Sequence, residues 1–160
     1  MSRASSSAQS VDPVPSDELP LDEAMELMHF AFRQVIEAPD RALEEHGFSR
    51  LHHRILYVAA HNPGIVVGDV VGLLGVTKQA VHRPIRQLCD ADLMTIEQGD
   101  DDRRTRSLQL TRKGRNFERQ LAHMQHQIFR QAFDGAGDAA ERGWRAVMDR
   151  IGGHRRLRVG

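Results

Sequence analysis

The stretch GVTKQAVHRPIRQL, residues 75–88, decides how this chain is read. Val81, Ile85 and Leu88 recur at steps of four and three, the spacing of a buried helical stripe. Lys78, Gln79, His82, Arg83 and Arg86 fall on the other side and make a polar, basic face. Gly75 suits a tight turn and Thr77 suits an N-cap, so the spacing predicts the second helix of a helix-turn-helix. Pro84 stands inside that helix, seventh after the cap. It removes the donor that would serve the Ala80 carbonyl, which costs about 3 kcal/mol in a regular helix. Its position faces the core, where an apolar ring is wanted, so the helix is kept and a bend is expected over residues 80–84. A helix starting at Pro84 is the alternative, but it would have barely two turns and leave Thr77 without a role.

Working outward, IVVGDVVGLL (residues 65–74) reads as a short extended piece and then the first helix of the pair. Gly68 and Gly72 are poor helix formers, so its neighbours rather than its propensity make it a helix. RLHHRILYVAAH (residues 50–61) is a helix with Leu51, Ile55 and Val58/Ala59 on one face, stopped by Asn62-Pro63-Gly64. Upstream, Leu21, Met25, Met28, Phe32 and Val35 alternate steps of four and three, the seam of a packed helix. Asp22, Glu23 and Glu26 suit its positive end, and Pro39 predicts that it ends near Ala38. Residues 1–20 are rich in Ser and Pro and read as a disordered tail.

Past residue 92 the period becomes two. Met94 and Ile96, then Leu108 and Leu110, alternate with polar residues around the charged connection QGDDDRRTRS (residues 98–107), which predicts a hairpin with Arg103, Arg104 and Arg106 near its tip. A long helix follows from Arg112, with Phe117, Leu121, Met124, Ile128 and Ala132 in its seam. GAGD (residues 135–138) breaks it before a last helix expected to turn Trp144, Val147, Met148 and Ile151 inward. Residues 152–160 form a basic tail. Helix-turn-helix followed by hairpin is a winged helix, with one helix for the major groove of duplex DNA and a hairpin arm for the minor groove.

Charge agrees. The 160 residues carry no net charge, yet residues 1–48 hold three Arg against ten Asp and Glu, so residues 49–160 hold nineteen basic against twelve acidic side chains. Between residues 50 and 88 there are five basic groups, Arg50, Arg54, Lys78, Arg83 and Arg86, and the single acid Asp69, the local excess that phosphate neutralisation requires. Only Lys78 and Lys113 are lysines; arginine is the side chain that matches phosphate and guanine edges with two parallel donors. With Cys89 the only cysteine, no intrachain disulfide can form and a reducing compartment is expected. No signal-peptide core or apolar span is visible, which predicts a cytoplasmic protein. No nucleophile–base pair, paired carboxylates, phosphate loop or metal signature argues for an enzyme.

The stretch LMTIEQGDDDRRTRSLQLTRKGR (residues 93–115) closely resembles the wing of MarR-type transcriptional regulators. That family carries Asp-x-Arg at the wing and Leu-Thr-x-x-Gly at the start of the next helix; Asp102-Arg103-Arg104 and Leu110-Thr111-Arg112-Lys113-Gly114 stand in those places. The resemblance spans about residues 22–151. It implies a mainly α fold with a small β-hairpin wing, a winged helix over about residues 50–111, and dimerisation helices over about 21–38 and 112–151. It implies Asp102 as the residue that structures the wing through an ion pair, with Arg104 or Arg103 entering the minor groove. The expected DNA-binding set is Thr77, Lys78, Gln79, His82, Arg83, Arg86, Arg103, Arg104 and Arg106. The expected function is a homodimeric, sequence-specific regulator, a repressor at a pseudopalindromic operator that a small ligand relieves. The alternative is a winged helix that docks an acidic protein partner.

Three departures from the family pattern stand out: Val66 and Val67 where a capping Ser or Thr is usual, Asp92 where Gly commonly ends the recognition helix, and Pro84. No cofactor is expected beyond a small aromatic or phenolic effector, a class the resemblance implies, for which Tyr57, Arg33 and His29 are candidates. His123 and His126 share a helical face and with His29 offer a metal alternative, but solvated or capping histidines are the simpler reading, so no metal site is assigned. Asp90 and Asp92 beside Cys89 disfavour a thiolate, which reads as a buried structural thiol. Asp100, Asp101 and Asp102 read as a solvated wing tip.

Overall fold

The computed structural model describes residues 19–98, 106–153 and 157. Its elements are α1 (Leu19–Glu44), α2 (Arg50–His61), β1 (Ile65–Val66), α3 (Val67–Leu74), α4 (Lys78–Asp90), β2 (Met94–Gln98), β3 (Arg106–Leu110), α5 (Arg112–Ala136) and α6 (Asp138–Ile151). By internal contacts the chain divides into residues 1–34 and 35–160. Within the first unit the leading stretch of α1 exposes Leu21, Met25, Leu27, Met28 and Phe30.

In the second unit the core gathers around α2, whose Ile55, Leu56, Val58 and Ala59 are all buried. Leu43 and Phe48, Val70 and Leu74, Val81, Ile85 and Leu88, the sheet residues Met94, Leu108 and Leu110, and Leu121 complete it. The three strands are antiparallel in the order β1-β3-β2, with Met94 opposite Leu110 and Ile65 opposite Leu108. β3 is thus the central strand, which is why Leu108 is fully buried while Ile96, its partner on the edge strand β2, remains 40% exposed. The period of two correctly placed Ile96 on the Met94 side, but that side runs past the edge of the core.

α1 does not stop before Pro39. It continues to Glu44 with Pro39 inside it, fully buried. The lost hydrogen bond and the ring's burial are of similar size, about 3 kcal/mol against about 1.5–3 kcal/mol for an aliphatic side chain, so the helix survives. The real stop is Gly47, at φ 71°. Its N–H donates to the Glu44 carbonyl at 2.9 Å and that of Phe48 to the Leu43 carbonyl at 2.9 Å, a Schellman closure with Leu43 and Phe48 both buried.

α4 runs unbroken from Lys78 to Asp90 through a buried Pro84, so the helix beginning at Pro84 is ruled out. Thr77 caps it as expected, its Oγ1 accepting from the Ala80 N–H at 3.2 Å. α3, by contrast, has Val66 at its N-cap and no side-chain cap. At the far end of α4, Asp92 takes the left-handed conformation (φ 57°) that glycine would occupy more easily. The Asp92 N–H donates to the Cys89 carbonyl and that of Leu93 to the Leu88 carbonyl, both at 2.9 Å, the same Schellman closure.

That turn is where α5 is fastened. Thr111 caps α5 by accepting from the Gly114 N–H at 2.9 Å, and its hydroxyl donates to the Asp92 carbonyl at 2.7 Å. The Thr111 N–H donates to the Leu93 carbonyl at 3.1 Å, and Lys113 Nζ donates to the Ala91 carbonyl at 2.8 Å. Gly114 packs against that backbone so closely that a Cβ on it would lie 1.8 Å from the Leu93 carbonyl oxygen. The Leu-Thr-x-x-Gly segment therefore clamps α5 to the exit turn of α4.

α6 buries nothing within the chain. The expected inward set is corrected accordingly: Trp144, Val147 and Ile151 are exposed, and Met148 is half-buried. Trp144 does pack edgewise on Phe129 and Phe133 of α5, with ring centroids 5.4 and 5.3 Å apart. An amphipathic pattern states that a helix has an apolar face, not that its own chain covers it.

Candidate nucleic-acid interface

α4 buries Val81, Pro84, Ile85 and Leu88 and presents Thr77, Lys78, Gln79, His82, Arg83 and Arg86 to solvent. All six belong to the set expected from sequence. Thr77 stands at the cap, and the other five lie on one helix face because the buried residues, at steps of three and four, hold the opposite face against the core. Among the described residues no carboxylate comes within ion-pair distance of Lys78, Arg83 or Arg86.

Two of the five basic groups counted upstream serve the fold instead. Arg50 pairs with Asp40 at 2.7 Å, and Arg54 Nη2 donates to the Leu74 carbonyl at 2.8 Å, closing the end of α3. Of the wing arginines, Arg106 opens β3 and is exposed, facing Gln98 in the strand register. Asp102, Arg103 and Arg104, with Asp100 and Asp101, lie outside the described residues.

The support behind α4 comes from a capping histidine at the start of α2. His52 is 5% exposed and completes a capping box at the start of α2: its Nδ1 accepts from the Ser49 N–H at 3.0 Å. That acceptor role leaves the proton on Nε2, which donates to Gln87 Oε1 on α4 at 3.2 Å. Burial pushes the His52 pKa down, the Gln87 and Ser49 contacts push it back up, and the Arg83 charge lowers it further. The signal for this role was Ser49 followed three residues later by a side chain able to accept, a box usually written with Glu or Gln. His53 beside it is also lowered by burial, against the opposing charge of Asp40.

Cys89 is partly buried, and burial together with Asp90 pushes its thiol pKa up, as befits an inert thiol. Among the described residues no three of His, Cys, Asp and Glu stand close enough together to hold a metal ion. Tyr57 does line a cavity of about 410 Å3 between α2 and α5, with His61, Glu118, His123 and His126. His29 and Arg33 lie on the exposed leading stretch of α1. Glu118 was invisible as a site residue, since the seam drawn through Phe117 and Leu121 passes beside it. No helix of the described chain is long and apolar enough to cross a membrane.

Comparison with known proteins agrees with this geometry. Residues 46–105 match the sequence profile described as the MarR family. The chain is 39% identical over 129 residues to the HTH-type transcriptional regulator PetP of Rhodobacter capsulatus, covering 81% of this chain and 78% of that protein. Its fold superposes on a MarR transcriptional regulator from Methanosarcina mazei with a TM-score of 0.69 at 17% identity, over 83% of this chain and 96% of the other. A MepR variant of S. aureus bound to an oligodeoxyribonucleotide gives a TM-score of 0.58 at 18% identity, over 80% and 94% of the two chains. The recognition-helix scaffold, the wing strands and the length of the match to PetP lead to one conclusion: the chain belongs to the MarR family of DNA-binding transcriptional regulators, which are not enzymes.

Proposed function

We propose that the protein is a homodimeric, sequence-specific repressor that binds a pseudopalindromic operator and is released by a small ligand. The observation that carries the reading is α4 itself: five polar or basic side chains exposed on one face, with four apolar residues buried on the other. In this reading Lys78, Gln79, His82, Arg83 and Arg86 contact base edges and adjoining phosphates in the major groove, and Thr77 joins them from the cap. Arg103, Arg104 and Arg106 reach the minor groove and backbone, with Asp102 holding the wing in shape.

Two apolar surfaces support the dimer. The leading stretch of α1 exposes Leu21, Met25 and Met28, and α6 exposes Trp144, Val147 and Ile151. Large apolar groups repeated along a helix are costly in water, and a second copy is the cover that the two-fold symmetry of an operator calls for. Recognition helices about 34–36 Å apart would then meet successive major grooves. The cavity beside Tyr57 supplies the ligand site, and the cytoplasm is the compartment where such a protein meets DNA.

Fluorescence anisotropy on the intergenic DNA beside the protein's own gene, titrated against excess random duplex, tests the reading. Binding that survives competition with two chains per site is expected. Binding erased by the competitor, or one chain per site, would overturn it.

A further inference from the structure

Glu118 is a buried carboxyl group at a contact between two helices. It lies where α5 packs on α2, only 5% exposed, and among the described residues its Oε1 is buried with no hydrogen-bond donor. A buried acceptor left unsatisfied is costly, so the group wants a donor that the described residues do not provide. It borders the 410 Å3 cavity already described, a volume within the range of small-molecule sites, about 300–1,000 Å3.

The other walls also accept hydrogen bonds. His61 Nδ1 lies 2.8 Å from the Tyr57 carbonyl, a contact that requires its proton on Nδ1 and leaves the Nε2 lone pair open. The Tyr57 and His61 rings lie 4.1 Å apart at 31°, a continuous aromatic wall. His123 and His126 bring two further imidazoles to the lining. Among the described residues Arg119, the arginine that lines the cavity, is turned along its own helix: Nε donates to the Arg115 carbonyl at 3.3 Å and Nη2 to Asn116 Oδ1.

We propose that this cavity binds a small planar ligand with a cationic N–H donor head, an amidinium, guanidinium or protonated amino-heteroaromatic, anchored by Glu118 and stacked on the Tyr57–His61 wall. This deepens the reading of the protein as a ligand-relieved regulator and rests on it, but it reverses the charge of the effector. An aromatic acid would set its carboxylate against that of Glu118, and among the described residues the arginine at the cavity is turned away along its own helix. A metal ion is disfavoured because no three ligating side chains are assembled there. The protonation of Glu118 fits the same picture. Burial pushes its pKa up, while His61, His126 and Arg119 pull it back, and a bound cation would further favour the charged form.

Isothermal titration of the full-length protein with benzamidine, and with benzoate as the anion of matching shape, tests the assignment. Benzamidine is expected to bind and benzoate not to. Glu118→Gln should weaken benzamidine by about tenfold to a hundredfold, the share of one charge-assisted hydrogen bond. His61→Phe, which keeps the ring but removes the acceptor, should weaken it less. Glu118→Gln removes a buried ionisable group and should unfold no lower than the parent at mildly alkaline pH, which separates lost binding from lost folding. Four outcomes would overturn the assignment: benzoate binding as well as benzamidine, unchanged benzamidine affinity in Glu118→Gln, no benzamidine binding at millimolar concentration, or stoichiometric zinc binding that Glu118→Gln abolishes. The titration contains no DNA, so its failure leaves the regulator reading to the anisotropy experiment.

Discussion

Replacing Gly114 by alanine adds one methyl group and should cost this protein more than most core deletions. The new Cβ would sit 1.8 Å from the Leu93 carbonyl oxygen and 2.8 Å from its carbon, both backbone atoms that no rotamer change can move. Reaching an ordinary contact requires α5 and the exit turn of α4 to part by more than 1 Å. That separation overpacks the contact, at about 1–3 kcal/mol, and loosens the bonds from Thr111 to the Asp92 and Leu93 carbonyls, at about 0.5–1.5 kcal/mol each. The sum is roughly 2–6 kcal/mol, and at about 2–4 °C per kcal/mol for a chain of this size the unfolding midpoint should fall by roughly 4–24 °C. Gly72→Ala is the matched control. No atom lies within 4 Å of the Cβ it would add, and the site is exposed inside α3. There the usual preference of alanine for a helix applies, and the midpoint should rise, by about 0.5–1 kcal/mol. Both variants would be melted by circular dichroism at one fixed protein concentration, since the midpoint of the proposed dimer would depend on it. A Gly114→Ala protein melting within a couple of degrees of the parent would refute the clamp between α5 and the recognition helix.

Three further outcomes follow from the same geometry. Asp92→Gly should raise stability by about 0.5–1 kcal/mol in chemical denaturation, because Asp92 holds φ 57° without a side-chain need for it; a loss would show that its carboxylate has a role. His52 is held neutral by burial, so the unfolded chain binds more protons and stability present above the ordinary histidine pKa of 6.5 should fall as pH drops through and below that value. His52→Gln, which still accepts from the Ser49 N–H, should flatten that fall, and parallel pH profiles for the two proteins would exclude His52 as a cause. Arg83→Ala should cost about 1–3 kcal/mol at particular operator bases while leaving random duplex almost untouched; an equal loss on every sequence would reduce Arg83 to a phosphate contact.

What could be read from sequence was whatever local spacing controls. The stripe Val81-Ile85-Leu88, the cap at Thr77, the stop at Asn62-Pro63-Gly64 and the alternation of Met94 with Leu108 and Leu110 each express a helical or strand period over a few residues, and the structure keeps them all. The five exposed polar and basic residues of α4 were legible for the same reason, because a known buried stripe fixes the opposite face. The errors were made where distant parts of the chain decide. Pro39 is tolerated in α1 because the core buries its ring, and the core is built from residues far along the chain. Arg54 was counted with the DNA-facing charges until α3 ended beside it and took its guanidinium. The apolar face of α6 announced that it needed cover but not from which chain. Glu118 is the plainest case: nothing in its neighbours' spacing shows that α2 closes over it. Periodicity along the chain assigned the helices, the hairpin and the reading face, whereas burial, which depends on what packs across from each residue, was decided only by the tertiary structure.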